Sequence, residues 1–275
     1  MKFFKRYFLL LLALLLIGAG LLFLAYPPAA SRLFEEHATQ VIEEYESSNQ
    51  DLDAHTIQAM KEEAHKYNES LLNSSQRFLD YSDVNRNYDA LLDPQGNGWM
   101  GSIEIEAIEV YLPIYHGCSA QVLAQGIGHV QGSSLPVGGK GTHCVLTGHC
   151  GVPTAQLFTR LDELEEGDII HLSILDEDLY YVVCDSEIVE PEDVDSVSID
   201  PDKDELTLLT CTPYGVNSMR LLVHAQAAAF VVQQEEVQEI EITNNGFWLF
   251  WLLLACTSCI LLVILLAKKK KKKTK

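Results

Sequence analysis

Hydrophobic and polar positions divide the chain into three regimes. Residues 7–26 and 247–267 are Leu-rich runs without a charge. A helix of about 20 apolar residues crosses the roughly 30 Å of bilayer hydrocarbon, so each run predicts a transmembrane helix. Between 32 and 75 the apolar residues fall at helical spacing: Phe34, Ala38, Val41 and Tyr45, then Ile57, Met60, Ala64, Tyr67 and Leu71. Such spacing puts each set on one helix face. The polar stretch 46–51 between them predicts an antiparallel helix pair. From 102 to 229 the period shortens to that of strands. Ile103 and Ile105 alternate, Ile108 and Val110 follow Glu106-Ala107, and the runs 168–174, 179–184, 206–211 and 219–223 are short and apolar. Many short strands with Gly/Pro turns predict a closed barrel or a sandwich, mainly β, with one sizeable core. Residues 76–101 are polar and turn-rich and read as a linker or flap, and 230–246 as an acidic tether.

Charge orients these pieces. Lys2, Lys5 and Arg6 precede the first run, and Lys268–Lys273 follow the second. Positive flanks stay inside, so 1–6 and 268–275 are expected in the cytoplasm and everything between the spans outside. Cleavage after the first run, near Pro27-Pro-Ala-Ala-Ser31, is the alternative; the middle is exported in either case. The lysine run abuts a span and reads as a stop-transfer anchor that also attracts anionic lipid. Ten of the 19 Lys and Arg lie in the two ends, which leaves nine bases against all 39 acids, a net −30, for residues 27–245. Such a surface repels nucleic acid, so none is expected as a partner, and the charge serves solubility first. Cys256 and Cys259 sit in the second run, leaving Cys118, Cys144, Cys150, Cys184 and Cys211 outside. An odd number leaves at least one thiol unpaired, and the spacings do not form a disulfide framework.

Cys211 ends the apolar run that starts at Leu206 and precedes Thr212-Pro-Tyr-Gly215; Arg220 heads the next run, and His149 stands in Leu146-Thr-Gly-His149. A thiol becomes a nucleophile when a neighbouring imidazole or guanidinium favours its thiolate. Histidine also protonates a departing amine, and an arginine that never deprotonates suits a developing oxyanion. Taken singly, each residue has a commoner structural use: a small core thiol, a bonded histidine, a surface arginine. Together they are the parts of an acyl-transfer site. Cys150, next to His149, is a candidate redox partner for Cys211, against the simpler reading of a side chain turned away. His143-Cys144 and His149-Cys150, with His116 and Cys118 upstream, offer zinc-type atoms. Strand alternation turns His143 and Cys144 apart, and the spacing matches no structural zinc pattern, so no metal site is expected. Asn68-Glu-Ser70 and Asn73-Ser-Ser75 match glycosylation acceptors, which matter only in a eukaryote.

Several segments together resemble the class C, or pilin-polymerising, sortases of Gram-positive bacteria. They are Leu112-Pro-Ile-Tyr-His-Gly117, Gly126-Ile-Gly-His129, Ser134-Leu-Pro-Val-Gly-Gly139, Leu146-Thr-Gly-His149, Leu157-Phe-Thr-Arg-Leu161 and Thr207–Asn217 with Arg220-Leu-Leu-Val223. The resemblance implies an eight-stranded β-barrel over 102–229, with a helical extension and flap over 27–101 and two flanking membrane helices. It implies a cysteine transpeptidase without cofactor, at the cell membrane, with its catalytic domain outside. Cys211 would attack the Thr–Gly carbonyl of an LPXTG-like sorting signal, His149 would protonate the leaving amine, and Arg220 would hold the oxyanion. The acyl group would pass to a pilin lysine. Anchoring of surface proteins to cell-wall peptide, simple hydrolysis, and an inactive barrel serving as an assembly scaffold are the alternatives. The chain departs from the family at Cys150, where Arg is usual, at Met219, where His is common, and at Glu106-Ala107, where a proline is usual. Its flap lacks a clear Asp-Pro-aromatic motif; Asp80-Tyr-Ser82 is the nearest candidate, and Asp93-Pro94 has no aromatic after it.

Overall fold

The computed structural model describes residues 2–72, 78 and 87–228. The second apolar run, the acidic tether, the lysine tail and Asp80-Tyr-Ser82 lie outside the described residues.

The first apolar run does not end at Tyr26. Helix α1, Lys2–Gln50, continues through Pro27 and Pro28 into the region read as a separate helix. Each proline removes one backbone bond to the preceding turn. The stretch from Leu11 is long and apolar enough to cross a membrane, and none of its apolar window is buried in the protein. Beyond it, Ala38, Val41 and Tyr45 of the stripe read from the sequence are buried together with Ile42 and Asn49, and Phe34 is partly buried. Helix α2, Ala54–Leu72, begins behind Asp53, whose carboxylate accepts from the Thr56 backbone N at 2.9 Å and from the Thr56 hydroxyl at 2.7 Å. This caps the orphan amides of the first turn.

Each helix packs on the barrel. The buried Tyr45 hydroxyl donates to Met100 O at 2.8 Å and accepts from Leu175 N at 3.0 Å, so α1 is pinned at a strand and at the turn that follows another. On α2, Asn68 is buried rather than presented to solvent as an acceptor site. Its amide donates to Leu135 O at 3.1 Å and accepts from Leu135 N at 2.7 Å. Lys61 pairs with Asp176 at 2.6 Å and Glu177 at 2.7 Å.

Eight strands close the barrel: β1 Trp99–Ile105, β2 Val110–His116, β3 Ile127–His129, β4 Thr142–Thr147, β5 Ile169–Ile174, β6 Glu177–Val189, β7 Asp204–Thr212 and β8 Met219–Ala227. Their order around the barrel is β1-β2-β3-β4-β7-β8-β6-β5. Three details differ from the sequence reading. Strand β1 starts at Trp99, inside the segment read as flap, and is buried on both faces because α1 covers its outer side. Glu106-Ala107-Ile108 forms a 3₁₀ turn between β1 and β2, so Ile108, read as strand, belongs to the turn. Strand β6 runs on to Val189 through the polar Asp185-Ser-Glu187, carried by its ladder to β8 past an irregularity between Val183 and Asp185. Asp93-Pro94 belongs to a turn: the Asp93 carboxylate accepts from the backbone N of Gly96, Asn97 and Gly98.

Candidate active site

Two ladders bring the three candidate residues together. In the antiparallel β7–β8 pair Cys211 stands directly opposite Arg220. Such partners have Cα atoms about 4.5–5.5 Å apart and side chains on one face. Strands β4 and β7 run parallel, with Thr147 opposite Leu209. The ladder ends at that pair, and His149 follows two residues later, in the loop that leads on from β4. Gly148 N donates to Leu209 O at 3.1 Å, and the Thr210 hydroxyl donates to Gly148 O at 2.7 Å, holding the start of the His149 loop against β7. Phe158 N bonds His149 O at 3.1 Å from the other side. Gly148 is needed here: a Cβ would lie 2.8 Å from Ile127 and 2.9 Å from Phe158. Further on, Gly151 has φ +78, and its face is covered by the Tyr214 ring, which would meet a Cβ at 2.8 Å. The segment 148–151 thus runs beside 210–214.

Cys211, His149 and Arg220 are all half-buried. Arg220 donates from Nη1 to Met219 O at 3.0 Å and Asn217 O at 3.3 Å, which curls the guanidinium over the β7–β8 turn. Among the described residues it makes no ion pair, in a domain where acids outnumber bases several-fold. Its charge is therefore open to an anionic or oxyanionic ligand. Cys150 is half-buried with a free thiol, whose pKa is raised by burial and then by the charges of Asp162 and Cys211. A raised pKa leaves it largely protonated and a poorer nucleophile.

Beside this constellation lies a groove of about 270 Å³. Val145, Leu209 and Leu222 from the sheet and Val194 and Val197 from the β6–β7 connection line it, and Arg220 contributes charge. Phe78 also lines it, packed against the cluster of Val145, Val189, Val197 and Leu222. The sequence reading passed over Phe78; its signal was a Phe78-Leu79 pair in a polar stretch. The zinc-type residues go separate ways. Cys144 is in the core, His143 bonds Ser198 and Thr207, and His116 bonds the carbonyls of Leu91 and Gly98. Among the described residues no group of three His, Cys, Asp or Glu converges on one point.

A closed eight-stranded barrel with a thiol and an arginine paired across neighbouring strands, and a histidine delivered by a parallel one, defines a narrow class. The sortase domain model matches residues 103–228. Sortase C from Streptococcus pneumoniae is 39% identical, with a TM-score of 0.63 over 70% of this chain and 97% of that one. Clostridium perfringens sortase C, solved with the C-terminal cell wall sorting motif, is 36% identical, with a TM-score of 0.62 over 70% of this chain and 100% of that one. Sortase D of Bacillus subtilis is 32% identical over 125 residues, 46% of this chain and 60% of that protein's length. The chain belongs to the sortase family, and these structural neighbours are of class C.

Proposed function

We propose that this chain is a membrane-anchored cysteine transpeptidase that joins pilin subunits. The observation that carries the reading is the Cys211–Arg220 cross-strand pair, with the start of the His149 loop bonded to β7 through Gly148, beside an apolar groove. An extended LPXTG-like signal would lay its Leu and Pro in that groove and its Thr–Gly bond at Cys211. The Cys211 sulfur attacks the Thr carbonyl, and Arg220 holds the tetrahedral oxyanion. His149 gives a proton to the departing glycine amine, leaving a thioester on Cys211. A lysine ε-amine then attacks, loses its proton to His149, and forms the isopeptide bond as the thiol leaves. No cofactor enters, because the thioester retains the energy of the cleaved amide. Support for a sorting signal as substrate comes from the C. perfringens sortase C solved with one, and support for a pilin from the pneumococcal sortase C whose structure bears on pilin substrate specificity.

The test uses the full-length protein in detergent with an LPXTG-type peptide and a pilin-derived lysine peptide. The expected product is the isopeptide conjugate, with a Cys211 thioester by intact mass. Cleavage without lysine transfer would point to cell-wall anchoring or hydrolysis, and absence of any Cys211 adduct would leave a scaffold.

A further inference from the structure

Tyr214 stands three residues after Cys211, in the turn from β7 to β8, and is 67% exposed. The turn that carries it is held in shape. Val216 N and Asn217 N both donate to Pro213 O at 3.0 Å, and Arg220 donates from Nη1 to Asn217 O at 3.3 Å. The Tyr214 ring reaches out of the turn onto Gly151, two residues after His149. A Cβ on Gly151 would lie 2.8 Å from Cε2, 3.1 Å from Cδ2 and 3.2 Å from Cζ of that ring. A point in the ring plane would be much nearer Cε2 than its two neighbours, so these distances put Gly151 under the ring's face. One face of Tyr214 is therefore seated on the His149 loop, and the exposure of the side chain falls on the other.

The donor half of the proposed reaction does not use this ring. The groove is built from β4, β7, β8 and the β6–β7 connection, and Tyr214 is not among the residues that line it. The second half-reaction has a different need. The incoming amine must reach the acyl carbon on Cys211 and give a proton to His149. It therefore approaches between the two segments that carry them, the 148–151 loop and the start of the β7–β8 turn. Tyr214 is an exposed side chain that joins those two segments. A lysine amine sits at the end of a flexible four-carbon stem. Such a stem lays its methylenes along apolar surface and keeps its polar end free, and a flat aromatic face suits it.

We infer that Tyr214 is the acceptor platform: the alkyl stem of the incoming lysine lies on the free face of its ring, and the neutral amine at the end of the stem meets the Cys211 thioester. The amine nitrogen bonds the acyl carbon, the C–S bond breaks with its electron pair going to the Cys211 sulfur, and the proton lost by the nitrogen goes to His149. The ring thereby favours a primary amine on an unbranched chain over water and over an amine without a stem. This rests on the proposed function, because an acceptor has a place only where Cys211 carries an acyl group.

The experiment acylates Cys211 in the full-length protein in detergent and offers methylamine, ethylamine, propylamine and butylamine, which are nearly equal in basicity and differ in stem length. The acyl group comes from an LPXTG-type peptide or, independently, from p-nitrophenyl acetate, and peptide mapping places it on Cys211. The readout is the ratio of amide to hydrolysis product, which does not depend on how fast the thioester forms. In wild type the ratio should rise about twofold per added methylene, as expected when each is about half buried. Tyr214→Phe should keep that slope, and Tyr214→Ala should be flat. Tyr214→Gln, which keeps a side chain over Gly151 without an aromatic face, takes the place of Tyr214→Ala should that variant not fold. A His149 loop that merely loosens would lower the ratio equally for all four amines and leave the slope. A wild-type ratio indifferent to chain length, or an unchanged slope in the variant without the ring, would overturn the inference. No acyl group on Cys211 from either source overturns it together with the proposed function. A slope that vanishes with the ring, in a protein that transfers nothing to a pilin-derived lysine peptide, sinks only the proposed function.

Discussion

Cys211 and Arg220 face one another across the antiparallel β7–β8 ladder, nine residues apart in sequence and joined by a turn that the arginine itself braces. A thiol at a strand end has its cation fixed by register rather than by a long, mobile side chain reaching from elsewhere. Arg220→Lys keeps the charge but loses the planar fork. It should lower kcat by about 100-fold or more, as removal of an oxyanion donor does, with a smaller change in KM. Peptide turnover and thioester accumulation by intact mass check this; a Lys variant with full activity would refute the role of the guanidinium. Cys211→Ala and His149→Ala should each abolish product.

Phe78 occupies volume in the groove that a bound peptide would need. Phe78→Ala should therefore help substrate: apparent KM should fall by about tenfold, the scale of partial exposure of an aromatic side chain. Little change in melting temperature is expected, because Phe78 packs on the small outer cluster rather than the main core. Peptide kinetics on the full-length variant decide it.

His129 gives the barrel an acid limit. It is fully buried, its Nε2 lies 2.9 Å from Ser134 O, and its Nδ1 lies 2.8 Å from the Tyr88 hydroxyl. The neutral ring donates at Nε2 and accepts at Nδ1, so both contacts are satisfied without an extra proton. Burial first, with the nearby His116 adding to it, lowers its pKa to about 4, against a bond to Ser134 that raises it. A pKa below the unfolded value means the unfolded state binds more protons. The stabilisation is complete above about pH 6.5 and is lost as pH falls toward 4, roughly 3 kcal/mol in all. Urea midpoints across that window should show the slope, and His129→Gln should flatten it.

Gly148 couples packing to the site. In Gly148→Ala the new methyl meets Ile127 and Phe158 at under 3 Å, an overpacking that costs about 1–3 kcal/mol. The strain falls on the two bonds that hold the His149 loop against β7. Melting temperature should drop, and kcat should fall more than KM rises. An unchanged kcat in a destabilised variant would show that the His149 loop tolerates the shift.

Much of the architecture was legible because it depends on local periodicity. The stripes on α1 and α2 follow from spacing, and β7 and β8 stand out as apolar runs between turn residues. Other features were hidden for physical reasons. Pro27-Pro28 reads as a break, yet the helix passes through it. The apolar run that marks β6 stops at Cys184, because Asp185-Ser-Glu187 is held by its ladder to β8 rather than by its own apolar alternation. Phe78 has no periodic context, and Ser198, His143, Thr207, His224 and Glu187 share no local pattern at all. Such groups are joined only when non-consecutive strands become neighbours.

By itself the sequence determined the two apolar runs, the acidic character of the middle, the mainly β character of residues 102–229, and the residue types a thiol site requires. These depend on composition and on spacing along one chain. The tertiary structure alone decided what stands beside what: the parallel β4–β7 ladder from whose end the His149 loop leads on, Phe78 in the groove, and two histidines sharing one threonine. Register and closure are long-range hydrogen-bond choices, made when a barrel must pair every strand edge, and no stretch of local pattern encodes them alone.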